Sequence, residues 1–284
     1  MAINLAGGCR VSQMGEDVPA VSGTLSIWNQ IGRATGAQAI SLRILEFAPG
    51  LSPAIRNGDC DEILYVLDGM EREHPDVERG HPDAERGHPV RLSERTAAGE
   101  SSSKIVIDGR PYDISPDTGI YVRPHETFAI DNPGPDAIVL VSSRCPEPDT
   151  AQEFVSLLTS PKSDSMPTSS TLVRLADRRA QPTADRWYRV LVDEEVGSTN
   201  ATQFVGSIPP GRAPDHFHQY EEVLFILKGE GRMWAGETNA AIKPGSCIYL
   251  PKGQVHCVEN TGVEELRLLG VFYPAGSPSV RYDV

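Results

Sequence analysis

The sequence has little positive charge for its size. Its 284 residues include 26 lysines and arginines against 39 aspartates and glutamates, a formal net charge of −13 at pH 7. A nucleic-acid interface needs basic side chains to neutralise phosphates, and anionic membrane surfaces attract basic segments. We therefore predict neither a nucleic-acid nor a membrane partner.

Cysteine is also sparse, and long apolar runs are missing. The five cysteines are scattered, with no Cys-x-x-Cys pair: Cys9, Cys60, Cys145, Cys247 and Cys257. This pattern predicts free thiols in a reducing compartment. Residues 1–19 show neither the basic stretch nor the apolar run of a signal peptide, and no run reaches the length of a membrane-spanning helix. We therefore expect a cytoplasmic protein.

The sequence is instead rich in short alternating segments separated by turns. Residues 39–50, AISLRILEFAPG, alternate apolar and polar residues and end in a Pro-Gly turn, and Asp108-Gly109 is typical of a hairpin turn. Most predicted strands have about five to eight residues. These features predict an all-β fold, an antiparallel double-stranded β-helix of the jelly-roll kind.

Four side chains in the C-terminal half have the spacing of metal ligands. His216 and His218 are two residues apart, so an extended strand directs both imidazoles to one face. A bend at 219–221 can bring the Glu222 carboxylate to that side, and His256 follows the turn of a separate hairpin. Three imidazoles and one carboxylate suit one divalent transition metal ion (Fe, Mn, Ni, Cu or Zn) and leave positions for substrate.

These ligands lie in two motifs that resemble those of the cupins. Residues 216–229 contain His-x-His-x3-Glu-x6-Gly, and residues 245–260 contain Gly-x5-Pro-x-Gly-x2-His-x3-Asn. Gly211 is one residue closer to His216 than the usual first motif has it. The resemblance implies a jelly-roll barrel that binds a metal. It leaves the reaction open, because the superfamily includes dioxygenases, decarboxylases, isomerases, hydrolases, storage proteins and sensors.

The N-terminal half contains a degenerate copy of this domain, so the chain resembles a bicupin. DEILYVLDG at 61–69 mirrors EEVLFILKG at 221–229, and at the same offset Arg56 stands where His216 stands. Gly58 replaces His218, and Phe128 or Ala129 takes the place of His256. We therefore predict no metal in the first barrel. Two explanations stay open for Glu62: its carboxylate pairs with Arg56 inside the barrel, or both side chains face solvent.

The repeat predicts a first barrel at 1–145, a linker at 146–170 and a metal-binding barrel at 171–284. Within the linker, 151–160 is a candidate short helix capped by Thr150. An insertion at about 71–103 of the first barrel repeats the unit HPDxERG and places His74, His81 and His88 in phase. Each unit holds proline and glycine without an apolar seam, which favours a hydrated loop over a coiled coil.

The predicted chemistry is led by the metal. Strand alternation places Tyr220 on the face of His218, and Leu224 on that of Glu222, so the expected pocket is mostly apolar. The catalytic candidates are Tyr220 and Glu222, the latter if it leaves the metal; Tyr249 is a further acid–base candidate. We expect an enzyme acting on a small enol, keto or carboxylate metabolite. Its resemblance to enol-cleaving cupins makes a dioxygenase-type oxidoreductase the first hypothesis, with a redox-neutral isomerase, decarboxylase or hydrolase and a non-catalytic binding module as alternatives.

Two further expectations follow from the resemblance. An empty first barrel followed by a metal-binding one resembles the ureidoglycine aminohydrolases, but their pattern Glu-x-His-x3-His with a later glutamine is matched here only at His218. Single-domain cupins pair as dimers, and a bicupin already holds two barrels in one chain. Both a monomer and a homodimer therefore stay open, with a small-molecule substrate as the expected partner.

Overall fold

The computed structural model describes residues 1–68, 102–158, 160, 171–183, 185–279 and the backbone of 282–283. The HPDxERG units, with His74, His81 and His88, lie outside the described residues. The helices of the described part are four 3-10 turns, at Ala6–Gly8, Arg33–Thr35, Leu175–Asp177 and Glu194–Val196. No helix in this part is both long enough and apolar enough to span a membrane.

Fourteen strands precede residue 160 in the described part of the chain. They are β1 (Ile3–Asn4), β2 (Arg10–Gln13), β3 (Ala20–Ser22), β4 (Leu25–Ile31), β5 (Leu42–Phe47), β6 (Gly50–Leu51), β7 (Ala54–Arg56), β8 (Asp61–Val66), β9 (Lys104–Ile107), β10 (Arg110–Asp113), β11 (Thr118–Val122), β12 (Thr127–Asn132), β13 (Ile138–Cys145) and β14 (Glu153–Val155).

Thirteen strands follow in the second half of the described chain. They are β15 (Leu172–Arg174), β16 (Gln181–Thr183), β17 (Arg186–Val192), β18 (Thr202–Ile208), β19 (Gly211–Arg212), β20 (His216–Phe217), β21 (Glu221–Lys228), β22 (Gly231–Ala235), β23 (Thr238–Ile242), β24 (Ser246–Leu250), β25 (His256–Asn260), β26 (Leu266–Tyr273) and β27 (Tyr282–Asp283).

These strands form four sheets, two for each barrel. In the first barrel a seven-stranded sheet, β15-β11-β8-β13-β5-β4-β3, faces a six-stranded one, β10-β9-β12-β7-β14 with β6 on β12. In the second, an eight-stranded sheet, β1-β2-β24-β21-β26-β18-β17-β16, faces a six-stranded one, β23-β22-β25-β20-β27 with β19 on β25. The prediction of an all-β chain with two jelly-roll barrels is confirmed.

The two halves of the chain exchange strands. β2 pairs with β24 of the second barrel, with Val11 opposite Ile248. In the other direction, β15 pairs with β11 of the first barrel, with Val173 opposite Gly119. The domain limits of 1–145 and 171–284 stay a prediction. Strand pairing crosses these limits in both directions.

Part of the proposed linker has a different structure from the one expected. The helix at 151–160 is not formed, because Glu153–Val155 is β14 and pairs with β7 at the edge of the first barrel, with Phe154 opposite Ile55. The prediction of a helix here was wrong. This edge strand satisfies the outer hydrogen-bonding groups of β7, which would otherwise be exposed.

Alternation along each central strand divides the buried side chains among three cores. On β21, Leu224 and Ile226 face the interior of the second barrel. Val223 and Phe225, between them, face a core shared by the two large sheets. A third core fills the first barrel, with Phe128 among its members. A central strand buried on both faces reads as a continuous apolar run, which explains the VLFIL sequence of β21.

Candidate metal centre

The four predicted ligands converge from three strands of the second barrel. β20 and β25 are antiparallel neighbours, and His216 lies directly opposite His256. A bend at 219–220 separates His218 from β21, where Glu222 lies between Leu250 and Phe272 on the adjoining strands. The predicted bend is therefore present, and it brings the carboxylate beside the imidazoles.

The donor atoms of this group are close enough to share one ion. The ligand nitrogens of His216, His218 and His256 lie within 4.8 Å of one another. Oε2 of Glu222 is 3.8 Å from Nε2 of His218 and 3.8 Å from Nε2 of His256. Two donors bonded to one ion at about 2.1 Å lie at most about 4.2 Å apart, so a shift of a few tenths of an ångström closes this arrangement.

Each imidazole is held at the nitrogen that faces away from the centre. Nδ1 of His216 lies 3.0 Å from the carbonyl oxygen of Pro214, and Nδ1 of His256 lies 2.8 Å from that of Gln254. Nδ1 of His218 is 3.0 Å from the hydroxyl of Tyr220. A carbonyl can only accept, so it fixes the proton on Nδ1 and leaves the lone pair on Nε2, the arrangement typical of a ligand imidazole.

Burial sets the protonation of the centre. Loss of solvation raises the pKa of the Glu222 carboxyl to about 8. Burial, with a smaller effect of His216, lowers the pKa of His256 to about 3. Near pH 7 the metal-free site therefore holds a protonated carboxyl beside a neutral imidazole. A divalent ion would favour the carboxylate form and use the free Nε2, so the donor set fits such an ion.

A small cavity opens beside these side chains. Its volume is about 120 Å³. Leu224 lines it, as strand alternation predicted, and four more apolar residues line it as well: Phe204, Val258, Leu268 and Phe272. The polar residues in its wall other than the proposed ligands are Thr183, Arg186, Tyr188 and Ser207. Sequence reasoning missed these four, because they lie on β16 to β18, outside both motifs.

A catalytic acid was expected to face the cavity, but neither Tyr220 nor Tyr249 is among the described residues that line it. The Tyr220 hydroxyl contacts His218 and donates to the carbonyl oxygen of Ser277 at 3.2 Å, and its ring stacks on His218. Tyr220 is not among the described residues that line the cavity. Its contact with the centre is therefore through His218, and its catalytic role stays a prediction. Tyr249 lies in the core between the barrels, where its hydroxyl donates to Glu221.

The five cysteines are free and buried, as predicted. The sulfur of Cys257, next to His256, faces away from the centre and is 3.2 Å from Nε of Arg212. Strand alternation places it there.

The first barrel has other residues at the corresponding positions. Asn132 of the first barrel corresponds to Asn260 of the second, because each lies opposite a glycine of the neighbouring short strand. Four residues earlier in each strand are Phe128 and His256, so Phe128 takes the place of His256. Across the strand pair, Ile55 faces Phe128 as His216 faces His256.

The prediction that Arg56 takes the place of His216 was therefore wrong, and neither explanation left open for Glu62 describes the structure. Arg56 is one position further on, with a half-exposed side chain 3.7 Å from Glu153. The segment between β7 and Glu62 is one residue longer than its counterpart before Glu222, which a fixed offset does not take into account. Glu62 itself is fully buried and accepts from Arg43 Nη2 at 2.5 Å and from Ser142 Oγ at 2.8 Å.

Comparisons with known proteins agree with this architecture. The family model described as Cupin domain matches residues 204–272. The oxalate-binding protein of Thermotoga maritima is 36% identical over 84 residues, which are 28% of this chain and 69% of that protein. The chain belongs to the cupin superfamily. Since it holds two such barrels, it is a bicupin.

A second curated relative matches a shorter part of this cupin. Auxin-binding protein 1 of Arabidopsis thaliana is 37% identical over 70 residues, 22% of this chain. The match spans only about a third, 35%, of the length of that relative.

Solved structures share the fold over almost the whole chain. The oxalate decarboxylase of Bacillus subtilis superimposes with a TM-score of 0.67 at 13% identity, covering 94% of this chain and 77% of that one. The putative glyoxylate-induced protein of Pseudomonas aeruginosa gives a TM-score of 0.67 at 14% identity, covering 98% and 93%. At these identities the likeness concerns the fold.

Proposed function

We propose that the second barrel is a metal-dependent catalytic site for a small oxygen-rich metabolite, with His216, His218, Glu222 and His256 as the ligands of one divalent transition metal ion. The observation that carries this proposal is the set of anchored imidazoles. All three have a hydrogen-bonding partner at Nδ1, and two have Nε2 at 3.8 Å from the same carboxylate oxygen. Packing alone does not require each imidazole to have a hydrogen-bonding partner at Nδ1.

The cavity supports a small acid as substrate. About 120 Å³ holds only a few non-hydrogen atoms beside the metal site, and the walls are mostly apolar. Arg186 lines the opening, with a side chain 17% exposed, and its Nε donates to Asp185 at 3.1 Å. Its remaining N–H groups can orient a carboxylate. The names of two similar proteins, an oxalate-binding protein and an oxalate decarboxylase, refer to a ligand of this class.

The lining favours a dioxygenase-type oxidoreductase, our first hypothesis. The ion supplies Lewis acidity to a substrate oxygen and, if it is iron, manganese, nickel or copper, the redox activity that a reaction with O2 requires. Two lining hydroxyls are already committed: Ser207 donates to Glu265 at 2.6 Å and Tyr188 to Gln181 at 2.9 Å. Decarboxylation or isomerisation needs a proton donor at carbon, whereas cleavage by O2 does not.

A redox-neutral reaction is the second candidate, and Glu222 favours it. With a pKa raised to about 8 by burial, its carboxyl can hold a proton at neutral pH if it leaves the metal. Glu222 lines the cavity and can then deliver that proton to a substrate carbon. This is the acid that a decarboxylase or isomerase requires.

Metal content and oxygen consumption separate these candidates. We expect about one ion per chain in protein purified without added metal or chelator, and its loss in His216→Ala. His125→Ala is the matched control, because His125 lies in an exposed loop of the first barrel with a side chain 75% exposed. Equal metal content in wild type and His216→Ala contradicts the proposed centre.

The reaction is then assayed with enols, catechols and keto or dicarboxylic acids. O2 uptake that is lost in His216→Ala supports the oxygenase. Turnover that survives anaerobiosis and zinc substitution supports the redox-neutral enzyme. Saturable ligand binding without turnover under either condition identifies a binding module, a role that agrees with the names of the two curated relatives.

A further inference from the structure

The first barrel also contains a cavity. Its volume is about 490 Å³, and residues of β3, β4, β5 and β13 line it together with the segment 147–152. These strands correspond to β16, β17, β18 and β26, which line the metal cavity. The first barrel has therefore kept an opening after losing the metal-binding histidines.

The residues at its base have changed from apolar to cationic. Arg43 lies opposite Ser142 as Phe204 lies opposite Gly270, so Arg43 takes the position of Phe204. In the same way, Arg144 lies opposite Glu62 as Phe272 lies opposite Glu222. Two guanidinium groups thus replace the two phenyl rings that line the metal cavity.

Among the described residues, only one of these guanidinium groups has an ion-pair partner. Arg43 is 2% exposed and its Nη2 is 2.5 Å from Glu62, while its Nη1 donates to Gln152 at 2.8 Å. Within the described part of the chain, Arg144 has no carboxylate at ion-pair distance, and its buried Nε has no hydrogen-bond partner. Burial lowers the pKa of Arg43, Glu62 opposes this effect and Arg144 adds to it. Arg144 is partly buried and lines the cavity, and a guanidinium without a carboxylate partner can bind an anion there.

The acidic residues around the cavity do not supply that anion. Oε2 of Glu147 accepts from the backbone N–H of Arg33 at 2.7 Å. Asp149 pairs with the guanidinium of Arg33. Both carboxylates are therefore directed to Arg33, and Arg144 keeps its charge unmatched.

The wall above this base is mixed, with Ser22, Asn29 and Thr35 beside the apolar residues. Ile27 and Ile31 line it below the opening, and Val21 and Phe154 stand at the rim, 68% and 42% exposed. Large apolar side chains that stay this exposed around a cavity are typical of a ligand site.

We propose that the first barrel is a metal-free binding site for an organic monocarboxylate with an apolar body. Its carboxylate lies on the guanidinium groups of Arg144 and Arg43, and its apolar part lies against Ile27 and Phe154. This site is separate from the metal centre, and its ligand does not require a metal. The guanidinium of Arg144 provides a planar pair of N–H donors that matches a carboxylate.

Calorimetric titration of the full chain with phenylacetate tests this site. The titrations use His216→Ala as background, so that carboxylate binding at the metal centre does not contribute. We expect saturable binding, at least tenfold weaker binding in Arg144→Gln and an intermediate affinity in Arg144→Lys, which keeps the charge but loses the fork. Phenylacetamide, which has the same body without the charge, should bind at least tenfold more weakly.

Arg232→Gln is the matched control, because Arg232 is an exposed arginine of the second barrel and should not change the affinity. Since Arg144 has no ion pair to lose, Arg144→Gln should keep the melting temperature of its parent. If that variant fails to fold, the proposal is tested by comparing the phenylacetate affinity of Arg144→Lys with that of its parent. Absence of binding up to about 10 mM, or equal affinities in the parent and the Arg144 variants, overturns the proposal.

Discussion

Two neighbouring acidic residues in each barrel have opposite environments because the strand alternates. On β21, Glu222 faces the metal centre while Glu221 accepts hydrogen bonds from the backbone of Gln38 in the other barrel. On β8, Glu62 faces the interior of the first barrel and Asp61 accepts from Asn200 of the second at 2.9 Å. One position therefore faces the interior of its barrel, and the adjacent position holds the barrels together.

Metal binding should release about one proton at pH 7, because the Glu222 carboxyl has a pKa of about 8 in the metal-free protein and must ionise to bind a cation. Titration calorimetry in buffers of different ionisation enthalpy measures this number. Below pH 7 the apparent affinity should fall, because a higher proton concentration competes more strongly with the metal for the carboxylate. Glu222→Gln has no such proton, so release near one in that variant contradicts the assignment.

The same shift affects the stability of the metal-free protein. An unfolded chain has a glutamate pKa of about 4.3, whereas the folded pKa is about 8. The folded state thus holds the proton more tightly, and this contribution to stability is complete below about pH 4.3 and lost as pH rises towards 8. Chemical denaturation at pH 6 and pH 8 should show lower stability at pH 8, and Glu222→Gln should reduce the difference.

At the candidate site, the sequence was enough to predict the position of a side chain wherever a single strand or turn determines that position. The spacing of His216 and His218, the bend before Glu222 and the hairpin before His256 are local features, and the structure brings the four side chains together. Arg56 was placed wrongly because an added residue in a loop shifts strand register, and only the partner strand reveals that shift. Whether the four residues bind metal stays a prediction.

At the level of elements, β2 stabilises a barrel from which it is distant in sequence. Val11 is 5% exposed and packs in the core of the second barrel. Val11→Ala removes two buried methyl groups and should lower the free energy of unfolding by about 2 kcal/mol. Urea denaturation measures this difference.

Val18→Ala is the matched control for this substitution. Val18 follows β2 in the chain but is 94% exposed, so its removal should change stability by no more than about 0.5 kcal/mol. Equal effects at both positions would show that β2 does not support the second barrel.

Long-range pairing also explains which elements were not predicted. β5 and β21 show their alternation or apolar run in the sequence, and both are strands. EFV at 153–155 is too short to show a period, and its strand conformation depends on the exposed edge of β7. β15 is likewise a strand because it pairs with β11, at a sheet edge of the other barrel.

At the level of the whole molecule, Glu221 links the two barrels. Its carboxylate accepts from the backbone N–H groups of Gln38 and Ala39, at 2.8 and 2.7 Å, and from the Tyr249 hydroxyl. Glu221→Ala leaves the buried Tyr249 hydroxyl and two part-buried N–H groups without an acceptor and should cost about 3 kcal/mol. We expect a lower urea midpoint, and a smaller denaturant slope if the barrels then unfold separately.

Glu230→Ala is the matched control, because Glu230 is an exposed glutamate on the same half of the chain. A midpoint for Glu221→Ala equal to that of Glu230→Ala would contradict a role in joining the barrels. Loss of stability without change in metal content would show that the linkage and the metal centre are independent.

The strand exchange also determines when the sheet that contains β2 can form during synthesis. Ser246 on β24 donates to Gln13, which precedes it by 233 residues. At ribosomal rates of about 5–20 residues per second, β2 waits for its partner on the order of tens of seconds. β2 is thus made long before its partner, and the sheet behind the candidate metal centre closes only after β24 has been made.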